Sequence, residues 1–271
     1  MTFKTLLVHV EPEWGSAEAL DTAVHLSSLL DAHVLGVAAE AFELPAANFT
    51  EGELVQIMRD QIDVDVASAR DRFTTATAKL KAGATFVSGM ERPYVLMAEH
   101  ARGADLVVAR RTPSGSSPTN LCHSGDLVME TGLPVLLVPH GAAPLATDRV
   151  LVAWKDHREC RRALADALPF LTRAKQVVLA SICDRDDAAD RRVALREVAQ
   201  RLERLGVRAE VEVRANRAGA ALRSIETIAN AMGADLIVAG AYSHNPIREW
   251  MFGGVTQDLL ADCDRHVLLS R

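Results

Sequence analysis

Read for apolar and polar positions alone, the chain alternates short apolar runs with longer segments of helical spacing. Residues 4–10 (KTLLVHV) form a compact Leu/Val run, which suits a strand buried on both faces. Ser16 is placed to cap a helix whose stripe is Leu20, Ala23, Val24, Ser27 and Leu30, and residues 33–39 return to strand character. After a loop containing Pro45, Thr50 and Glu53 have capping-box spacing. They open a long polar helix predicted to reach about Lys81, with Gly83 as its C-terminal cap and Ile57, Val64 and Phe73 toward a sheet. Strands at 84–88 and 104–109, a helix at 91–102, and a last helix and strand ending at Pro139 complete a first unit.

The pattern then restarts. Residues 140–147 (HGAAPLAT) read as a linker, and 149–154 repeat the first strand. A helix over 157–172, a strand at 176–182, a long helix over 191–205 stopped by Gly206, a strand at 207–214 and a helix over 218–232 follow in the same order. GADLVVA at 103–109 recurs as GADLIVA at 233–239, and VLLV at 135–138 recurs as VLLS at 267–270. A duplicated β-α-β-α unit implies two tandem doubly wound α/β domains with parallel sheets, 1–139 and 148–271, forming a pseudo-two-fold pair. Their closing Val/Leu strands are expected at the shared interface, where the apolar edge is covered. Trp154 and Trp250 are expected in the core.

Composition narrows the class. With 271 residues, 49% apolar and 24% charged, the chain can bury one large core or two ordinary ones. No apolar run approaches a membrane span or a signal peptide, so a cytoplasmic protein is expected. The four cysteines, Cys122, Cys160, Cys183 and Cys263, form no C-x-x-C, which indicates reduced thiols and neither a disulfide framework nor a zinc cluster. A net charge of -6 disfavours a nucleic-acid backbone as principal partner, and the arginines between 191 and 204 read as a solvated helix face.

The candidate chemistry lies in 234–256 (ADLIVAGAYSHNPIREWMFGGVT). A buried strand ends there at Gly240, a loop follows, and Gly253-Gly254 open a helix. Such a turn presents backbone N–H groups at a positive helix N-terminus, where phosphate oxygens are readily held; the alternative is that the glycines only let the chain turn. With the tandem repeat, these residues resemble the universal stress protein family in its two-domain form. The family's nucleotide binders carry glycine, two residues, glycine, nine residues, glycine, then Ser or Thr. On those positions stand Gly240, Ser243, Gly253 and Gly254. The resemblance implies a nucleotide site of Gly240, Ser243, His244, Gly253, Gly254, Val255, Thr256 and Lys155, with ATP and Mg²⁺ as ligand. Ser243 replaces a close-approach glycine and Gly254 a phosphate-contacting hydroxyl. Lys155 stands where family members place a nucleoside-side Asp. A cation cannot accept a ribose hydrogen bond, so Asp156 would substitute, or Lys155 would meet a phosphate.

The first half has lost this pattern. Arg110 stands at the position of Gly240, Pro113 at that of Ser243, and no ATP is expected there. Arg110 and Arg111, at the carboxyl end of a strand, would either hold an anion or pair with acids, with Glu11 the first candidate partner. His123 beside Cys122, and His244, lack the third group a catalytic site needs and the four ligands of a structural zinc site, so no catalytic and no metal residue is assigned. The acidic run Cys183 to Asp187 is read as a helix cap. The reading is a regulatory nucleotide-binding module pairing its own domains and able to form a homodimer. The rivals are a slow ATP hydrolase using the same cradle and a dimerising scaffold without nucleotide.

Overall fold

The computed structural model describes residues 2–11, 17–41, 51–112, 122–215, 221–241 and 263–271. Strands β1 (Thr5–His9), β2 (His33–Ala39), β3 (Ala84–Gly89), β4 (Leu106–Arg110) and β5 (Val135–Val138) come from the first half. They are followed by β6 (Arg149–Ala153), β7 (Gln176–Cys183), β8 (Glu210–Ala215), β9 (Leu236–Gly240) and β10 (His266–Ser270). The helices are α1 (Glu18–Leu30), α2 (Glu51–Thr77), α3 (Pro93–His100), α4 (Ser124–Glu130), α5 (Arg158–Asp166), α6 (Leu168–Leu171), α7 (Ala188–Glu203) and α8 (Ala221–Met232). None of the described helices is long and apolar enough to cross a membrane.

All ten strands lie in one sheet, ordered β3-β2-β1-β4-β5-β10-β9-β6-β7-β8. Pairing is parallel within each half and antiparallel only between β5 and β10, through Val135↔Leu269, Leu136↔Leu268 and Leu137↔Val267. The two parallel five-stranded halves join edge to edge into one sheet, in which the closing Val/Leu strands, expected at the shared interface, hydrogen-bond to each other. Pairing removes the exposed edge that each would otherwise present. The antiparallel seam also runs the halves in opposite senses, so their strand carboxyl ends emerge on opposite edges of the sheet.

Both faces are apolar because both are covered. Leu6, Val8, Leu106, Val108, Leu136, Val150, Val152, Val238 and Leu268 point to the side of α1, α2, α5, α6 and α7. Leu7, Val107, Leu137, Leu151, Ile237, Val267 and Leu269 point to the other, under α3, α4 and α8. Hence the strands read as runs and not as alternations. The repeated aspartates have a structural reason. Asp105 accepts the backbone N–H of Lys4 (2.7 Å) and Thr5 (2.9 Å), and Asp235 accepts that of Arg149 (2.7 Å), so each ties the start of the neighbouring first strand. In the segment 140–147, Leu145 and Thr147 are buried, and Gly141 donates to Glu18 of α1 at 2.7 Å.

Three expectations change. Helix α2 stops at Thr77, and Gly83, with φ of +77°, serves the turn into β3 instead of capping the helix. At 27 residues α2 is about 40 Å long, against roughly 23 Å for seven-residue β2, so it overshoots the sheet. Ile57 and Val64 consequently face solvent, while Ile62, Ala69 and Phe73 are buried. The helix expected over 157–172 breaks into α5 and α6 at Ala167, just ahead of Pro169. Trp154 is buried as expected. Asp184 precedes a 3-10 turn leading into α7, with acids at Asp186 and Asp187 in that turn but no side-chain cap bond. Ser16, Pro45, Thr50, Pro113 and Trp250 lie outside the described residues.

Candidate functional site

Each half of the sheet has a point where the chain reverses its direction of strand addition: between β1 and β4 in the first, between β6 and β9 in the second. Open α/β sheets bind ligands outside the strand carboxyl ends at such points. Of the expected site residues, the structure brings two together here. Gly240 closes β9, Ala153↔Ala239 is the last pair between β6 and β9, and Lys155 follows β6 two residues later. Lys155 is exposed, and its carbonyl accepts the His157 N–H at 2.7 Å to close a turn. Ser243, His244, Gly253, Gly254, Val255 and Thr256 lie outside the described residues.

Gly240 has a packing task of its own. A methyl group there would meet the Cys160 amide nitrogen at 2.5 Å and the Glu159 carbonyl carbon at 2.6 Å, both backbone atoms of the first turn of α5. The close approach that this glycine permits is therefore helix to strand. Gly240→Ala must push α5 outward, and the expected loss, read from denaturant unfolding, is about 1–3 kcal/mol. Unchanged stability would mean that α5 yields freely.

Glu159 and Cys160 were not foreseen. Glu159 is a buried carboxylate at the start of α5, bonded by Arg158 Nε at 2.5 Å. Burial pushes its carboxyl up, but the Arg158 bond, its own N–H and the charges of Arg158 and His157 hold it below the ordinary value. Burial raises the Cys160 thiol, so it remains protonated. The available signal was Gly240 itself, since a glycine ending a buried strand asks for a backbone neighbour. Asp156, the substitute nucleoside acceptor, is engaged by Arg161 at 2.8 and 3.2 Å.

The first half closes the equivalent point with charge. Arg110 Nε donates to Glu11 Oε1 at 2.8 Å, with both side chains largely buried. Arg111 is buried and donates to the Arg265 carbonyl at 2.8 Å, reaching across to the other half. The pairing with Glu11 is thus found, and neither arginine stands as an open anion anchor. Cys122 is a buried thiol, raised well above its usual value by burial and by the Glu11 and Asp126 charges, which removes it as a nucleophile. Among the described residues no cluster of His, Cys, Asp or Glu could hold a metal ion.

Residues 146–271 match the universal stress protein family model. This half of the chain is a universal stress protein domain. No curated protein matches the chain. Among solved structures, a universal stress protein from Archaeoglobus fulgidus DSM 4304 aligns over 98% of both chains at 14% identity and a TM-score of 0.71. A candidate universal stress protein from Pseudomonas aeruginosa UCBPP-PA14 aligns over 99% of this chain and 93% of its own, at 16% identity and 0.65. The cytoplasmic domain of a prokaryotic cation chloride cotransporter aligns over 98% and 94%, at 13% identity and 0.50. At these identities the likeness is one of fold, and that fold spans both halves, including the half that lies outside the matched universal stress protein segment.

Proposed function

We propose that the chain is a cytoplasmic, two-domain universal stress protein, with domains 1–139 and 148–271, whose second domain alone takes a nucleotide, ATP with Mg²⁺. Nucleotide occupancy then biases a conformation read by a partner. The observation that carries the asymmetry is the contrast between the two reversal points. The first is filled by the Glu11–Arg110 ion pair, whereas at the second Gly240 is packed on the first turn of α5 and Lys155 is exposed, with no ion-pair partner among the described residues. With Asp156 held by Arg161, the nucleoside side is short of an acceptor, so weak binding is expected.

Titration of the full chain with MgATP at one salt concentration tests the reading. Gly253→Asp should weaken binding at least tenfold, by placing an anion at the cradle. Lys155→Asp with Ser243→Gly should strengthen it by roughly ten- to a hundredfold, one charge-assisted hydrogen bond being worth about 1.5–3 kcal/mol. Indifference to Gly253→Asp would remove the site assignment. No binding by the folded Lys155→Asp/Ser243→Gly variant would favour a scaffold that acts by domain pairing alone.

A further inference from the structure

The closed reversal point of the first half has a cavity of about 400 Å³ beside it, at the end of β1 and between α1 and α2. This size lies within the range of small-molecule sites. Its origin can be traced in the sequence. Leu6 and Val150 hold equivalent places, pairing with Leu106 and Leu236, so the first residue of α5, Arg158, corresponds to position 14. Helix α1 starts at Glu18, about one turn later. In the second half the first turn of α5 lies on Gly240; in the first, Arg110 stands in place of that glycine.

The floor is apolar, with Val10, Ala17, Leu20 and Ala76, together with the His9 ring. His9 is 3% exposed and its Nε2 has no hydrogen-bond partner among the described residues. Burial lowers its pKa to about 4, so the ring brings no positive charge at neutral pH. Around the floor stand Asp21 from α1 and Asp71 from α2, both exposed, with no ion-pair or hydrogen-bond partner for either carboxylate among the described residues. Arg110 neutralises the Glu11 carboxylate, and Arg72, which donates to the Glu11 carbonyl, keeps one positive charge against the two of Asp21 and Asp71, so the lining retains a net negative charge. An anion is repelled by such a lining, and a neutral apolar molecule leaves its excess negative charge uncompensated.

We infer that this cavity binds a small organic cation, an alkylammonium whose hydrocarbon body covers the Val10–Leu20–Ala76 floor and whose charge meets Asp21 and Asp71. The site is independent of the nucleotide reading, since the strand ends of the two halves lie on opposite edges of the sheet.

Calorimetric titration of the full chain with n-hexylamine, n-hexanol and hexanoate at low salt tests it. Hexylammonium should bind at least tenfold more tightly than either control, and 0.5 M salt should weaken it. Asp21→Asn with Asp71→Asn should cost about tenfold or more, and exposure of both residues leaves the fold undisturbed. As a second variant, Ala76→Phe fills the floor and should remove binding of amine and alcohol alike. Equal binding of amine and alcohol, tighter binding of hexanoate, indifference to the double Asn variant, or no binding of hexylammonium at all would each overturn the inference.

Discussion

Acidification from pH 6.5 to pH 4 is expected to remove roughly 6 kcal/mol of folding stability through two histidines alone. His9 on β1 and His266 on β10 are 3% and 6% exposed, and each has its pKa lowered from 6.5 to about 4. Burial is the main cause for both. For His9 the Glu11 charge opposes the shift and Arg110 adds to it; for His266 Arg111 adds to it and Asp235 opposes it. The sign follows from which state binds the proton first. The unfolded chain protonates each ring near 6.5, and the folded chain only near 4. Stability is therefore complete above pH 6.5, falls between 6.5 and 4, and levels off below. Protonation near 6.5 unfolded against about 4 folded corresponds to roughly 3 kcal/mol per ring. Net stabilities are commonly about 5–15 kcal/mol, so unfolding in this window is the expected outcome. Denaturant unfolding at pH 5.0, 5.5, 6.0 and 7.0 avoids most carboxylate titration. The slope should reach about 2.4 kcal/mol per pH unit near pH 5, and fall by about half in His9→Leu. A flat profile above pH 5 would show that both rings titrate normally.

The same burial explains what could be read from the sequence and what could not. The ten strands were legible because a sheet covered on both faces needs runs such as LLVHV, LVVAR and VLLV, and few other elements do. The repeat was legible through GADLVVA and GADLIVA, whose aspartates have one hydrogen-bonding task in each half. Ile57 and Val64 misled because helical spacing says nothing about how far a helix outruns its sheet, and α2 outruns β2 by nearly half its length. The edge-to-edge merging of the two sheets was half legible. Matching Val/Leu runs marked the closing strands as covered, but either stacking or pairing would cover them, and only the register Leu136↔Leu268 decides for pairing. For the candidate site, Lys155 and Gly240 were placed from the family resemblance, and both follow the last β6–β9 pair, Ala153↔Ala239. Gly240 was read toward a ligand when its nearest constraint is the α5 backbone, a contact between residues 80 positions apart that no local pattern announces. Glu11 and Arg110 were found as a pair because substituting both members of one reversal point, with opposite charges, is a coupled change that a side-by-side reading of the halves exposes.

That pair provides the sharpest energetic contrast in the first half. Glu11 and Arg110 side chains are 12% and 20% exposed, and the Nε–Oε1 distance is 2.8 Å. Two charges removed this far from water cost several kcal/mol each in hydration, and their mutual attraction offsets that only while both are present. Arg110→Ala is thus expected to destabilise the protein by about 3–5 kcal/mol, since it strands a buried carboxylate. Glu11→Ala should cost a similar amount by stranding the guanidinium. Replacing both together with apolar residues of matched volume, Glu11→Leu with Arg110→Met, should cost far less than either single change and come out near neutral, because the hydration penalty disappears with the charges. Denaturant midpoints for the two single variants and the double variant complete the cycle. If the losses simply add, the ion pair holds nothing together and the first reversal point is closed by packing. A strong favourable coupling would establish the pair as the element that closes the place where the second half packs Gly240 against the first turn of α5.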